Sequence, residues 1–102
     1  MEEEQQRLIV WNASALERFA DELESLAQSS YSQAERLEEA ILSSLQLATD
    51  MPERYAKDKY KQNNPGHYRA FETHNYRVLY RYDKKQIRVL RIRHIRQKPL
   101  YY

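Results

Sequence analysis

Apolar positions along this chain change their spacing twice, and each change marks a new kind of element. Leu8, Ile9, Val10 and Trp11 form a β-prone run behind a polar leader. That run predicts a strand over about residues 7–11, buried on both faces. Ser14 and Glu17 have the Ser-x-x-Glu spacing of a capping box, which satisfies the free amides at a helix start. Leu16, Phe19, Leu23 and Leu26 then recur every three or four residues, with Ala20 and Ala27 alongside. The spacing predicts an amphipathic helix over about 14–28. Gln28, Ser29 and Ser30 interrupt it, Ser32 and Glu35 repeat the capping spacing, and a second stripe follows at Ala34, Leu37, Ile41, Leu45 and Ala48. This predicts a second helix over about 32–50, folded back on the first as an antiparallel hairpin because the break is so short.

Met51-Pro52 ends the helical pattern, since a residue before proline disfavours helical geometry. Residues 51–66 are polar and carry an Asn-Asn-Pro-Gly turn signal, so they predict a loop or a segment that carries a short helix. From there the spacing falls to two. Strands are predicted over about 67–73, 76–82 and 86–95, joined by hairpin-length turns at His74-Asn75 and Asp83-Lys84-Lys85. In the middle strand Tyr76, Val78, Tyr80 and Tyr82 share one face and Arg77, Leu79 and Arg81 the other. The tyrosines are expected to pack on the helices, leaving Arg77 and Arg81 on the open face. In the last strand Ile87 and Val89 are in one phase and Leu90 and Ile92 in the other. A bulge near Val89-Leu90 or burial of both faces reconciles them, and leaves the faces of Arg88, Arg91 and Arg93 open. Residues 96–102, RQKPLYY, form a tail in which Pro99 opposes further strand. The fold class is α+β: a strand, a helical hairpin and a three-stranded antiparallel meander in one domain over 1–102.

Charge divides this outline in two. Residues 1–50 hold eleven acids and three bases, whereas 51–102 hold four acids and fourteen bases, together with all three histidines and eight of the nine tyrosines. The net charge of +2 therefore hides an acidic helical side and a basic, tyrosine-rich strand side. A basic surface suits a nucleic-acid backbone or an acidic protein partner equally well. Lys57, Lys59 and Lys61 are placed to flank a site built by the strands, although a polar loop also carries lysines for solubility alone. The chain has no cysteine, and its apolar amino-terminal run is too short for a signal peptide or membrane anchor. A cytoplasmic protein with no membrane partner is the expectation. His67, His74 and His94 lack a metal-ligand spacing, so no metal and no cofactor is expected.

The order of elements, with "RLIVWNASALERFADELESLA" at 7–27, "HYRAFETHNYRVLYRYD" at 67–83 and "QIRVLRIRH" at 86–94, resembles the RelE/ParE superfamily of bacterial toxins. The long paired helices and the strand end "RIRH" look more like the ParE branch. The resemblance implies a toxin silenced by a cognate antitoxin. ParE-like members are thought to poison DNA gyrase, whereas RelE-like members cut messenger RNA on the ribosome. The gyrase reading needs a binding surface and no catalytic group; Lys57, Lys59, Lys61, Arg93, Arg96, Lys98 and Tyr102 are its candidates. The nuclease reading needs cations at the scissile phosphate and groups that move protons, and the resemblance offers Arg77, Arg81, His94 and Tyr101. For Arg77 and His94 structural roles stand beside these: pairing with a carboxylate, and closing a turn by hydrogen bonds. A third reading keeps the fold as a basic module that only binds its antitoxin.

Overall fold

The computed structural model describes residues 6–102. Its elements are β1 (Leu8–Trp11), α1 (Ala13–Ser29), α2 (Tyr31–Asp50), a 3₁₀ turn (Pro52–Arg54), β2 (Tyr68–Thr73), β3 (Tyr76–Tyr82) and β4 (Gln86–His94). The three later strands form the expected antiparallel meander. β1 joins that meander by pairing parallel to β4, giving a sheet in the order β1-β4-β3-β2.

The helical hairpin covers one face of the sheet. Ala34, Leu37, Ile41, Leu45 and Ala48 of α2 are all buried, as their spacing predicts. They meet Phe71, Tyr76, Val78, Tyr80, Ile87, Val89 and Ile92 from the strands. Tyrosine serves this interior because each phenol finds a partner at the far side. Tyr76 donates to Glu22 of α1 at 2.6 Å, Tyr80 to the Pro52 carbonyl at 2.5 Å and Tyr82 to Glu53 at 2.8 Å. Burial and the Glu22 carboxylate push the Tyr76 hydroxyl up to about 12, and burial raises Tyr80 further.

Turn chemistry sets the register. His74 and Asn75 both have positive φ, 50° and 70°, as the central pair of a twisted two-residue hairpin requires. At the second turn Asp83 accepts hydrogen bonds from the amides of Lys85 and Gln86, which hold its carboxyl below the usual range. Leu79 pairs with Arg91 but Tyr80 with Val89, so Leu90 is the extra residue of a bulge. The bulge moves Ile92 onto the helix side and Arg91 and Arg93 onto the other.

Several expectations need correction. β1 is not buried on both faces: it is an edge strand, and Leu8 is 71% exposed. Ser14 does not cap α1, which begins after Asn12; that side chain accepts from Arg88 at 3.1 Å instead of capping. The stripe of α1 accordingly runs through Ala15 and Phe19, with Leu16 turned out at 51% exposure. For α2 the cap is Ser30, whose hydroxyl accepts the Gln33 amide, and Ser32 lies inside the helix. Ser30 and Gln33 carry the same capping-box spacing two residues earlier.

Candidate functional site: an arginine face beneath a tyrosine strap

The face of the sheet away from the helices is rich in arginine. Pairing places Arg77 opposite Arg93 and Arg81 opposite Arg88 on the two inner strands, with Arg91 opposite Leu79 between them. This face is not open throughout, because the loop after the 3₁₀ turn folds back over it. Lys57 bridges Arg69 on the outer edge of β2, and Asp58 donates its amide to the Tyr68 carbonyl at 2.9 Å. The Asn64 side chain fastens the end of the loop, accepting from the Gly66 and Tyr68 amides and donating to the Tyr68 carbonyl.

The fold of the loop buries Asp58 completely, and that determines the state of Arg77. Asp58 Oδ1 accepts from Arg77 at 2.8 Å and from the Tyr60 amide at 3.2 Å, while Oδ2 accepts the Tyr102 hydroxyl at 2.5 Å. Arg77 also donates to Glu72 at 3.2 Å and lies beneath the Tyr60 ring, 5.0 Å from its centre. The expectation that Arg77 stands on the open face with Arg81 is thus corrected: Arg77 is 7% exposed, its guanidinium engaged by two carboxylates. A buried arginine needs such partners, because an uncompensated charge there is costly.

The tail returns across this pair. The Gln62 amide donates to the Tyr102 carbonyl at 2.6 Å, and the Tyr102 amide to the Tyr60 carbonyl at 3.2 Å. Tyr101 stands edge-on to Tyr60, and Tyr102 edge-on to Tyr68. Burial and the Asp58 carboxylate raise the Tyr102 hydroxyl well above its ordinary value. Between this strap and the strands lies a groove of about 340 Å³ lined by Tyr60, Tyr68, Leu79, Arg81, Leu90, Arg91, Arg93, Leu100 and Tyr102.

Loop and tail candidates meet here. Lys61 lies over the rings of Tyr68 and Tyr102, at 4.8 and 5.3 Å, and Lys59 over Tyr60 at 5.2 Å. Arg93 is buried, stacked near Tyr60 and donating to the Gln97 carbonyl at 3.0 Å. Arg96 and Lys98 are exposed in the turn before the strap. His94 is elsewhere. It pairs with Tyr76 across the strands, and their rings are 5.2 Å apart on the helix side. Its Nδ1 accepts the Arg96 amide at 3.1 Å, so the Nε2–H tautomer closes the turn. Arg77, Arg81 and Tyr101 thus share a side of the sheet that His94 does not.

A family model for the ParE toxin of type II toxin-antitoxin systems, parDE, matches residues 9–99. The chain belongs to that family. A comparison with curated proteins found no match. The matched span of this ParE-family toxin takes in both helices, β2 to β4 and all of β1 but Leu8, together with the loop that carries Asp58. Membership supports an antitoxin partner, as a type II system implies. Among the described residues no group of His, Asp or Glu is arranged to hold a metal ion, and no helix is long and apolar enough to cross a membrane.

Sequence reasoning missed Asp58, Tyr60, Tyr68 and Arg91. One signal for Asp58 was present: it is the single acid between Arg54 and Glu72, set among three lysines. A lone acid in a basic loop marks a partner for a buried cation. No comparable signal existed for Arg91, whose face depends on the exact position of the bulge.

Proposed function

We propose that this toxin halts growth by binding DNA gyrase through its arginine face and strap, without chemistry of its own, and that its antitoxin silences it by covering the same face. The observation that carries this reading is the division of the candidate nuclease residues. A phosphoryl-transfer site needs its acid, base and cations within hydrogen-bond reach of one phosphate. Arg77 is committed to Asp58 and Glu72, and His94 lies across the sheet from Arg81 and Tyr101. What gathers on one side is instead a contact surface: Arg81 and Arg91 with the strap tyrosines, flanked by Lys59, Lys61, Arg96 and Lys98. Charge complementarity of this kind favours association with an acidic partner. A short acidic antitoxin segment would also find the outer edge of β1 unpaired among the described residues.

Purified chain added to gyrase is expected to abolish supercoiling, and its induction in cells to give DNA breaks and an SOS response. Unchanged supercoiling at saturating chain, together with new codon-phased messenger RNA ends in induced cells, overturns the reading in favour of the ribosome. Harmless induction with intact antitoxin capture overturns it in favour of a binding module.

A further inference from the structure

We propose that the groove over β3 and β4 is a site for a single nucleic-acid strand, with Arg81 and Arg91 on its phosphates and a base against the apolar wall of Tyr68, Leu79 and Leu90. This deepens the reading of the arginine face as the target-facing surface by naming what that surface holds.

Charge supplies the first argument. Like charges directly opposed across a sheet are unfavourable, yet this face opposes Arg81 to Arg88 and Arg77 to Arg93. Of these four arginines only Arg77 has carboxylate partners among the described residues. Arg88 is turned to Asn12 and Arg93 to main-chain carbonyls, leaving Arg81 and Arg91 at the groove without an ion pair among the described residues. Among the described residues no carboxylate lines the groove. A sheet that gathers repelling guanidinium groups around an acid-free cleft is relieved by a polyanion.

Spacing and shape supply the second. Successive rows on one face of a strand lie two residues apart, about 7 Å. The Arg81–Arg88 row and the Arg91 row therefore step along the strands at a distance suited to successive phosphates of an extended strand, whereas the Arg77–Arg93 row beyond them is buried and already engaged. Tyrosine and leucine surfaces between the rows offer the sequence-tolerant apolar contact that unpaired bases use. A volume of about 340 Å³ is at the small end for a ligand site and matches one nucleotide unit rather than a duplex.

Backbone accounting separates this occupant from an acidic peptide. β3 is paired on both sides, and β4 is paired with β3 and, over Gln86 to Val89, with β1, so the floor of the groove offers side chains rather than a free strand edge. An extended peptide could pair only by leaving the groove for the outer side of residues 90–94, which lie beyond the end of β1. A nucleic-acid strand needs only side chains.

The test is fluorescence anisotropy of the purified chain with a labelled oligothymidylate of roughly ten nucleotides. We expect binding whose dependence on salt weakens in Arg81→Gln/Arg91→Gln, the slope falling by about 1.4 for two lost phosphate contacts, with affinity down at least about tenfold. Tyr68→Leu should lower affinity about five- to a hundredfold with the slope unchanged. Arg36→Gln, on the exposed helical face, should change neither. Circular dichroism establishes that each variant is folded. Absent binding overturns the inference, as does equal loss in Arg36→Gln, or a polyglutamate peptide that displaces the strand at equal charge concentration. Gyrase assays on the same variants keep the two readings apart. Strand binding without gyrase inhibition overturns the function proposed above and leaves the site standing. Gyrase inhibition by a wild-type chain that binds no strand does the reverse, and full inhibition by an Arg81→Gln/Arg91→Gln chain that has lost the strand overturns the arginine face as the surface that meets gyrase.

Discussion

On the helix side of the sheet Val78, Tyr80, Ile87 and Val89 are wholly buried against Leu37, Ile41 and Leu45, whereas on the other side the most completely buried side chain is the carboxylate of Asp58. One face is closed by apolar area, which is non-directional and tolerant of small rearrangement. The other is closed by a charge pair and a tyrosine, which act only at the right distance. The difference assigns labour: the helix side holds the fold together, and the arginine side holds a loop and tail in place around a groove.

Removing the anchor of the arginine side should have the largest effect. Asp58→Ala leaves Arg77 buried with only the half-exposed Glu72 for a partner and frees the Tyr60 amide and Tyr102 hydroxyl at once. We expect a loss of about 3–5 kcal/mol by urea denaturation. Replacing both partners, Asp58→Leu with Arg77→Met, should recover most of it, since the cost lies in the orphaned charge. Leu45→Ala on the helix side should cost about 2–5 kcal/mol through the lost transfer energy and cavity. The two sides separate in function: folded Leu45→Ala chain should inhibit gyrase normally, and folded Asp58→Ala chain should not. Equal inhibition by both would erase the distinction.

The helix side was largely legible in sequence, because burial against a helix imposes spacing that survives in composition. The stripe from Ala34 to Ala48, the alternation of Tyr76, Val78 and Tyr80, and the bulge signalled by Val89-Leu90 were all readable. The helix starts were not, since Asn12 and Ser30 stand two positions before the serines that carry the capping spacing, and only the backbone geometry decides where the first turn begins. The arginine side was hardest. Alternation put Arg77 on the correct face, but nothing local said that a loop nineteen residues earlier would bring Asp58 over it. Long-range polar contacts leave no periodicity.

Titration offers a smaller effect that reads both sides together. Tyr76 and Tyr80 on the helix side and Tyr102 on the other all have hydroxyls held above the ordinary value near 10. The unfolded chain therefore gives up these protons before the folded one does. Stability from this source is complete below about pH 10 and is lost as pH rises past it, through about 12 for Tyr76. The urea midpoint should be level up to about pH 9 and fall beyond 10. Tyr76→Phe and Tyr102→Phe should each flatten that fall. At neutral pH Tyr102→Phe should cost about 1.5 kcal/mol, the low end for a hydrogen bond to a carboxylate, because the strap keeps its two main-chain bonds. A Tyr102→Phe chain that retains the full alkaline slope would mean the strap is already detached in solution.

The smallest effect carries the opposite sign. Arg81 is exposed, faces Arg88 across the strands and has no ion-pair partner among the described residues. Arg81→Gln should therefore stabilise the fold by up to about 0.5 kcal/mol, since removing one of two opposed like charges relieves repulsion that exposed pairs feel only weakly. The gain should shrink as salt is raised from about 0.01 to 1 M, over which screening shortens from about 30 to 3 Å. Arg77→Gln, at the matching position opposite Arg93, should instead destabilise, because there the carboxylate of Asp58 has already converted repulsion into attachment. Two arginines four residues apart on one strand thus give shifts of opposite sign, and the residue responsible for the difference is an aspartate in a loop.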